Sequence, residues 1–377
     1  MKYFIIAGEA SGDLHASNLM AALKRRDEKA DFCFLGGDRM QAQGGKMIRH
    51  YRDMAFMGIV PVLLHLRTIY HNAKDCKSAI SNYKPDVVIL VDYPSFNLQM
   101  AQYVKENLPD VPVFYYISPK LWAWKEYRLK SIKKYVDRVY SILPFEVDWF
   151  AQRGYEVDYV GNPCVDAVND RAHKDEPRSE FLLRNQLQDK PILALLSGSR
   201  VQEIKTSLPI MLKAGAQHTE FQMVIAGAPS IESSLYVGLT KDYDVKVVYG
   251  ETYELLQQAS LAVVTSGTAT LETALFRVPQ VVVYMLSGGW LAHRFLSLFI
   301  NADMISLVNL IAQKHIVKEL VMEDFTVGKL SKEIDRLQTP SCRDAMLKDY
   351  DELIDLLGDE PVSEKASRMM LERARRT

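Results

Sequence analysis

Cysteine is scarce and unpatterned. The four residues, Cys33, Cys76, Cys164 and Cys342, are scattered without CxxC spacing. That argues against a disulfide scaffold and against a zinc site. The first apolar run, Tyr3–Ala7, is short and leads into Gly8, so it does not read as a secretory leader. Reduced thiols in a cytosolic protein are therefore expected. A surplus of one charge is missing too: 46 Lys and Arg stand against 47 Asp and Glu, for a formal net charge of −1. No strong basic field argues for nucleic acid as a partner. No window reaches the roughly 18 uninterrupted apolar residues that suggest a membrane span. The glycines after the first apolar run are not spaced as GxGxxG, so the dinucleotide fingerprint fails.

What is present suits a soluble enzyme of two ordinary domains: 377 residues, 48 % hydrophobic and 25 % charged. The most informative stretch runs from Leu261 to Tyr284. It reads as an apolar strand, a Thr-Ser-Gly-Thr turn, a helix from about Ala269 to Phe276 and a second apolar strand, Val281–Tyr284. Two buried runs joined by a helix mark a βαβ unit in a parallel sheet. Ser266, Gly267 and Thr268 then fall at a helix N-terminus, where free N–H groups and the helix dipole favour phosphate. Glu272, about one turn on, is suited to a ribose diol or, more plainly, to the helix dipole.

The chain opens with another strand, turn and helix: Tyr3–Ala7, then Gly8-Glu9-Ala10-Ser11-Gly12-Asp13, then a helix from about Leu14 to Arg26. Glu9 and Asp13 would crowd a pyrophosphate. Together with Ser11 they suit sugar hydroxyls; the alternative is a tight turn with Ser11 or Asp13 as a helix cap. Val87–Val91 is a buried strand that delivers Asp92 and Asn97 to its C-terminal end, where open α/β sheets bind ligands. A general base at Asp92 needs only reach to a hydroxyl and partial desolvation. The alternative is a cap for the Phe96–Glu106 helix. Val113–Ile117 precedes a loop bearing Trp122 and Trp124, rings that wall sugar sites or simply pack.

Asp166–Arg178 is the best linker candidate, and a second doubly wound set follows it. Ile192–Leu196 leads into Ser197-Gly198-Ser199-Arg200, with Glu203 in the next helix. Arg200 at a glycine turn suits bidentate contact with a diphosphate. The expected division is 1–165 and 166–342, with helices near 343–377 joining the first domain. Two windows, Met54–Tyr70 and Gly289–Ile300, are greasy and edged with basic residues. They suit the surface of an anionic membrane, a core helix or a dimer contact. Two Rossmann-like halves facing a cleft suit a two-substrate transfer. The economical reading is a glycosyltransferase with the nucleotide-sugar donor in the second half and the acceptor in the first.

The ordered motifs GEASGD (Gly8–Asp13), DYPSFN (Asp92–Asn97), YYISPKLWAW (Tyr115–Trp124), LPFE (Leu143–Glu146), GNP (Gly161–Pro163), SGSR with Glu203-Ile204, SGTATLE (Ser266–Glu272) and SLVNLI (Ser306–Ile311) resemble the lipid-A-disaccharide synthase family over nearly the whole chain. The resemblance implies a type-B glycosyltransferase fold. It implies inverting transfer from UDP-2,3-diacylglucosamine to the 6-hydroxyl of 2,3-diacylglucosamine 1-phosphate (lipid X), giving a β-1,6 disaccharide 1-phosphate and UDP. By carry-over Asp92 is the base and Arg200 steadies the departing UDP. Glu272 holds its ribose, while Ser199, Glu203, Ser266, Gly267, Thr268 and Asn309 serve the donor. Glu9, Ser11, Asp13 and Asn97 lie on the acceptor side. The family works without a metal, in keeping with the lack of a DxD-type pair in a plausible donor site, and no cofactor is implied. Acylated substrates imply a cytoplasmic protein held peripherally at the inner face of the inner membrane, and a homodimer is possible. Gln313 and Asn162 depart from the family pattern, standing where glycine and histidine are common. A non-hydrolysing UDP-sugar 2-epimerase shares the fold and is the alternative enzyme. A two-lobed sugar-binding module is the non-enzymatic one.

Overall fold

The computed structural model describes residues 1–54, 66–122, 126–285 and 304–376. The chain forms two compact units, Met1–Pro163 with Asp359–Thr377, and Cys164–Gly358.

The first unit is built on a seven-stranded parallel sheet. Its strands are β1 (Lys2–Ala7), β2 (Asp31–Gly36), β3 (Lys46–His50), β4 (Val87–Val91), β5 (Val113–Tyr116), β6 (Arg138–Ser141) and β7 (Val157–Tyr159), in the order β3-β2-β1-β4-β5-β6-β7. The apolar runs form strands because both faces of the sheet are covered. Side chains alternate between two cores: Phe4, Ile6, Val88 and Leu90 enter one, and Tyr3, Ile5, Val87 and Ile89 the other. Each such side chain contributes roughly 1.5–3 kcal/mol on burial.

The second unit has a six-stranded parallel sheet. Its strands are β8 (Ile192–Leu196), β9 (Gln222–Gly227), β10 (Val245–Tyr249), β11 (Leu261–Thr265), β12 (Gln280–Tyr284) and β13 (Lys318–Val321), in the order β10-β9-β8-β11-β12-β13. The strand runs read from the sequence are all present within a residue or two. The short helices Asp38–Ala42 and Ser233–Thr240 were not anticipated.

The C-terminal expectation needs correction. The helix Pro340–Leu357 belongs to the second unit, not the first. Its Tyr350 is fully buried and accepts a hydrogen bond from Gln280 Nε2 at 3.1 Å, which pins the helix to β12. Gly358, at φ +72°, ends it. Only the Val362–Ala374 helix returns to the first unit, where Val362, Ala366, Met370 and Leu371 share a core with Ala16, Leu19, Met20 and Leu23 of the Ala10–Arg26 helix. Arg25 and Arg26 both pair with Glu364 across that contact. The linker candidate begins inside a helix, Pro163–Asn169. Gln313 sits at φ +52° as a left-handed helix cap, a conformation that suits glycine. Of the two greasy windows, Gly289–Ile300 lies outside the described residues, as does 55–65 of Met54–Tyr70. Among the described residues no helix is long and apolar enough to cross a membrane.

Candidate active site

In a doubly wound sheet, ligands gather at the carboxyl ends of the strands where the strand order reverses. That point lies between β1 and β4 in the first unit and between β8 and β11 in the second. Ala7 is in register with Val91, so Gly8-Glu9 and Asp92-Tyr93 leave the first sheet side by side. Leu196 is in register with Val264, so Ser197–Arg200 and Ser266–Thr268 leave the second sheet together.

Asp92 occupies a sharp strand-to-helix turn. It and Tyr93 have φ of +45° and +48°, and the Pro94–Asn107 helix follows at once. Two successive non-glycine residues in the left-handed region cost of order 1 kcal/mol or more each, so the turn must be held by its surroundings. Part of the hold is Gly8: a Cβ there would lie 2.3 Å from the Tyr93 ring. The Tyr93 hydroxyl donates to the Met54 carbonyl at 3.0 Å. Asp92 is half-buried, and burial raises its pKa against the opposing pull of the Tyr93 N–H and the Lys120 ammonium. Burial also raises Glu9, and the Asp92 charge adds to the rise. The two carboxyl groups therefore sense each other.

The other acceptor-side residues are placed differently from one another. Ser11 is exposed in the first turn of its helix. Asp13 is buried, and its carboxylate accepts the N–H groups of Gly37 (2.8 Å), Arg39 (3.1 Å) and Met40 (3.1 Å). It caps the Asp38–Ala42 helix rather than presenting oxygens to a sugar, which corrects the acceptor-side expectation for this side chain. Asn97 is fully buried, and its amide donates to the Val91 and Asp92 carbonyls. It faces the turn, not an acceptor.

Sequence reasoning missed the role of Glu146, although it ends the LPFE motif. Its carboxylate is 1 % exposed. It accepts hydrogen bonds from Ser118 Oγ at 2.7 Å, Trp122 Nε1 at 3.0 Å and Ser141 Oγ. These tie the loop after β5 to the end of β6. Burial outweighs the three donors and pushes its pKa up from 4.5 to about 7. The folded protein thus retains a proton that the unfolded chain releases between those values. Its contribution is complete below pH 4.5 and lost as pH rises through 7. Glu146→Gln removes this titration. Denaturant melts should show the variant gaining on the parent by up to about 3 kcal/mol between pH 5 and pH 8. Parallel pH profiles would contradict the assignment.

In the second unit, the turns after β8 and β11 line one cavity of about 380 Å³ with Ser199, Arg200, Glu203, Ser266, Thr268 and Glu272. Size does not single it out. A hollow of about 400 Å³ lies at the opposite strand ends, lined by Lys190, His218 and Lys246 among others. Chemistry does single it out. Ser197 Oγ and Thr265 Oγ1 are buried behind the first cavity and have no hydrogen-bond partner among the described residues. Gly267 and Thr268 open the Thr268–Leu275 helix, with its free N–H groups. Gly198 has φ +102°, and a Cβ there would lie 2.6 Å from Glu203 Oε2. Glu203 accepts the Ser199 N–H at 3.2 Å and pairs with Arg200 Nη1 at 3.1 Å. It therefore shapes the turn and steers the Arg200 side chain, which is 81 % exposed.

Glu272 accepts the Tyr253 hydroxyl at 2.8 Å, and its pKa is raised by burial. Asn309 does not line the cavity. It is fully buried, and its side chain bonds Ile316 N, Val317 N, Val317 O and Glu319 Oε1. This corrects the expectation of direct donor contact through that side chain. Glu319 also accepts the N–H groups of Ile305 and Ser306, and Ser266 Oγ donates to the Ile305 carbonyl at 2.9 Å. Asn309 is thereby linked to the Ser266 turn through the backbone.

Two solved structures share this fold. One is UDP-GlcNAc 2-epimerase from Neisseria meningitidis bound to UDP-GlcNAc, with a TM-score of 0.64, 14 % identity and 100 % of both chains covered. The other is the calicheamicin glycosyltransferase CalG4, with a TM-score of 0.62, 13 % identity, and 100 % of this chain and 98 % of that one covered. At such identities they speak for the fold alone. Sequence relatives go further. The lipid-A-disaccharide synthase of Syntrophus aciditrophicus is 38 % identical over 375 residues, covering 97 % of this chain and 96 % of its own. That of Myxococcus xanthus is 37 % identical over 383 residues, with 98 % and 97 % covered. The family model for lipid-A-disaccharide synthetase matches residues 3–372. On that match and these identities, the chain belongs to the lipid-A-disaccharide synthetase family, glycosyltransferases of lipid A biosynthesis.

Proposed function

We propose that the second-unit cavity binds UDP-2,3-diacylglucosamine and that Asp92 activates the 6-hydroxyl of lipid X. The observation that carries this reading is the convergence on one cavity of Arg200, the Ser266–Thr268 turn and Glu272. It offers a cation, a helix N-terminus and a carboxylate to a diphosphate and a ribose. Asp92 takes the acceptor proton as the hydroxyl oxygen attacks the anomeric carbon. The bond to the UDP oxygen breaks, the configuration inverts, and the β-1,6 disaccharide 1-phosphate and UDP result. Arg200 meets the negative charge that grows on the departing diphosphate, and Glu272 accepts from the ribose. Ser199 and Glu203 set the turn that aims Arg200, and Asn309 acts on Ser266 through Glu319 and the Ile305 backbone that Glu319 holds. Glu9 and Ser11 border the acceptor.

Both substrates carry acyl chains, so the protein works at a lipid surface, the inner face of the inner membrane, as a peripheral protein. The greasy windows Met54–Tyr70 and Gly289–Ile300 are the segments that would meet acyl chains or a second copy of the chain. The test is a two-substrate reaction in detergent, with UDP and disaccharide followed by mass spectrometry. Product is expected only when both lipids are present. UDP binding without product, or epimerisation of UDP-GlcNAc with no acceptor, would overturn the reading.

A further inference from the structure

The turn that presents Asp92 is gripped at its backbone. Asp92 N–H donates to the Tyr116 carbonyl at 3.1 Å, so its peptide nitrogen continues the ladder to β5. Its carbonyl, thrown off the ladder by the left-handed φ, accepts two hydrogen bonds of 2.6 Å, one from the Tyr115 hydroxyl and one from Asn97 Nδ2. The same Asn97 amide also reaches the Val91 carbonyl at 3.2 Å. Both donors are fully buried. Tyr115 sits on β5 in register with Leu90, two residues before Asp92, and Asn97 sits in the first turn of the following helix. The carbonyl is thus fixed from the neighbouring strand and from the helix that the turn feeds. Neither donor engages a carboxylate oxygen of Asp92.

We propose that Tyr115 and Asn97 are positioning residues that clamp the Asp92 carbonyl and so aim its carboxylate at the acceptor hydroxyl. The inference rests on the reading of Asp92 as the base. Without the clamp the peptide unit is free to rotate back towards extended backbone, which would swing the carboxylate away from the hydroxyl. A misplacement of about 1 Å at a reacting group can lower turnover about 100-fold. The loss falls on kcat, because neither residue lines the donor cavity.

The test is Tyr115→Phe, which removes only the donated hydroxyl, made in the parent and in Asp92→Asn. In the parent, Tyr115→Phe should lower kcat roughly 10- to 100-fold with the KM for the UDP-sugar little changed. In Asp92→Asn, measured at high enzyme concentration, it should cost nothing further. Asn97→Ser, which withdraws the second donor, should show the same dependence on background, and it carries the test if Tyr115→Phe does not fold. Near-full turnover in Asp92→Asn would sink the reading of Asp92 and the clamp with it. An inactive Asp92→Asn with equal losses from Tyr115→Phe in both backgrounds, or an undiminished kcat in Tyr115→Phe, would sink the clamp alone.

Discussion

Asp92→Asn is expected to lower turnover by about 100-fold or more, the range for loss of a positioned general base. The substitution keeps the shape of the side chain and an oxygen to accept the Tyr93 N–H, and the Tyr115 and Asn97 bonds fall on the backbone carbonyl of residue 92 rather than on its carboxylate. Circular dichroism and melting temperature should therefore match the parent. The UDP-sugar KM should move little, since Asp92 and the donor cavity belong to different units. Burial raises the Asp92 pKa, so kcat/KM should fall on the acid side at a higher pH than an ordinary aspartate would give. Protonation there removes the base, so the limb is lost as pH falls. Full activity in Asp92→Asn would require a different base, and Glu9, whose pKa is raised in part by Asp92, is the nearest alternative.

Arg200→Ala should be the second most damaging change, lowering kcat on the order of 100-fold, as losing one preorganised group on a developing charge does. UDP affinity measured by calorimetry should fall as well. Arg200→Lys should recover only part of both, because a lysine cannot make the bidentate contact. The loss should not reflect instability. Arg200 is mostly exposed and its contact with Glu203 is a surface pair worth little to folding. Unchanged UDP affinity and turnover in Arg200→Ala would place the diphosphate elsewhere.

The framework of this protein is written plainly in its sequence. Runs such as VVILV and ILALL are apolar on both faces, as buried parallel strands must be, and the turns that follow them lie where the strand order reverses. The placement of Asp92, Arg200, the Ser266–Thr268 turn and Glu272 at those strand ends is legible for that reason. The partners of Asp13, Asn97 and Asn309 are not. Each is a polar residue in a turn or at a helix start, where a ligand contact and a backbone cap look alike in one dimension. What decides between them is which N–H or carbonyl lies opposite. For Asp13 the partners begin 24 residues away, at Gly37. Tyr115 was hidden differently. In the strand run VFYY it reads as core, and only the pairing of β5 with β4 brings its hydroxyl to the Asp92 carbonyl. For the helix Pro340–Leu357 the sequence pattern names no partner sheet, and the contact that ties it to the second unit is one buried tyrosine meeting Gln280.

The returning helix Val362–Ala374 sets an order of events during synthesis. The strands of the first unit leave the ribosome early, but the face of the Ala10–Arg26 helix formed by Ala16, Leu19, Met20 and Leu23 is completed by residues at the far end of the chain. At about 5–20 residues per second, roughly 200 residues of translation separate Pro163 from that helix, an interval of roughly 10–40 seconds. The second unit, complete at Gly358, has all its parts before the first does. The half of the protein whose strands are made first is therefore the half whose last helix is made last, and until then its open apolar strip is the surface a nascent-chain chaperone would find.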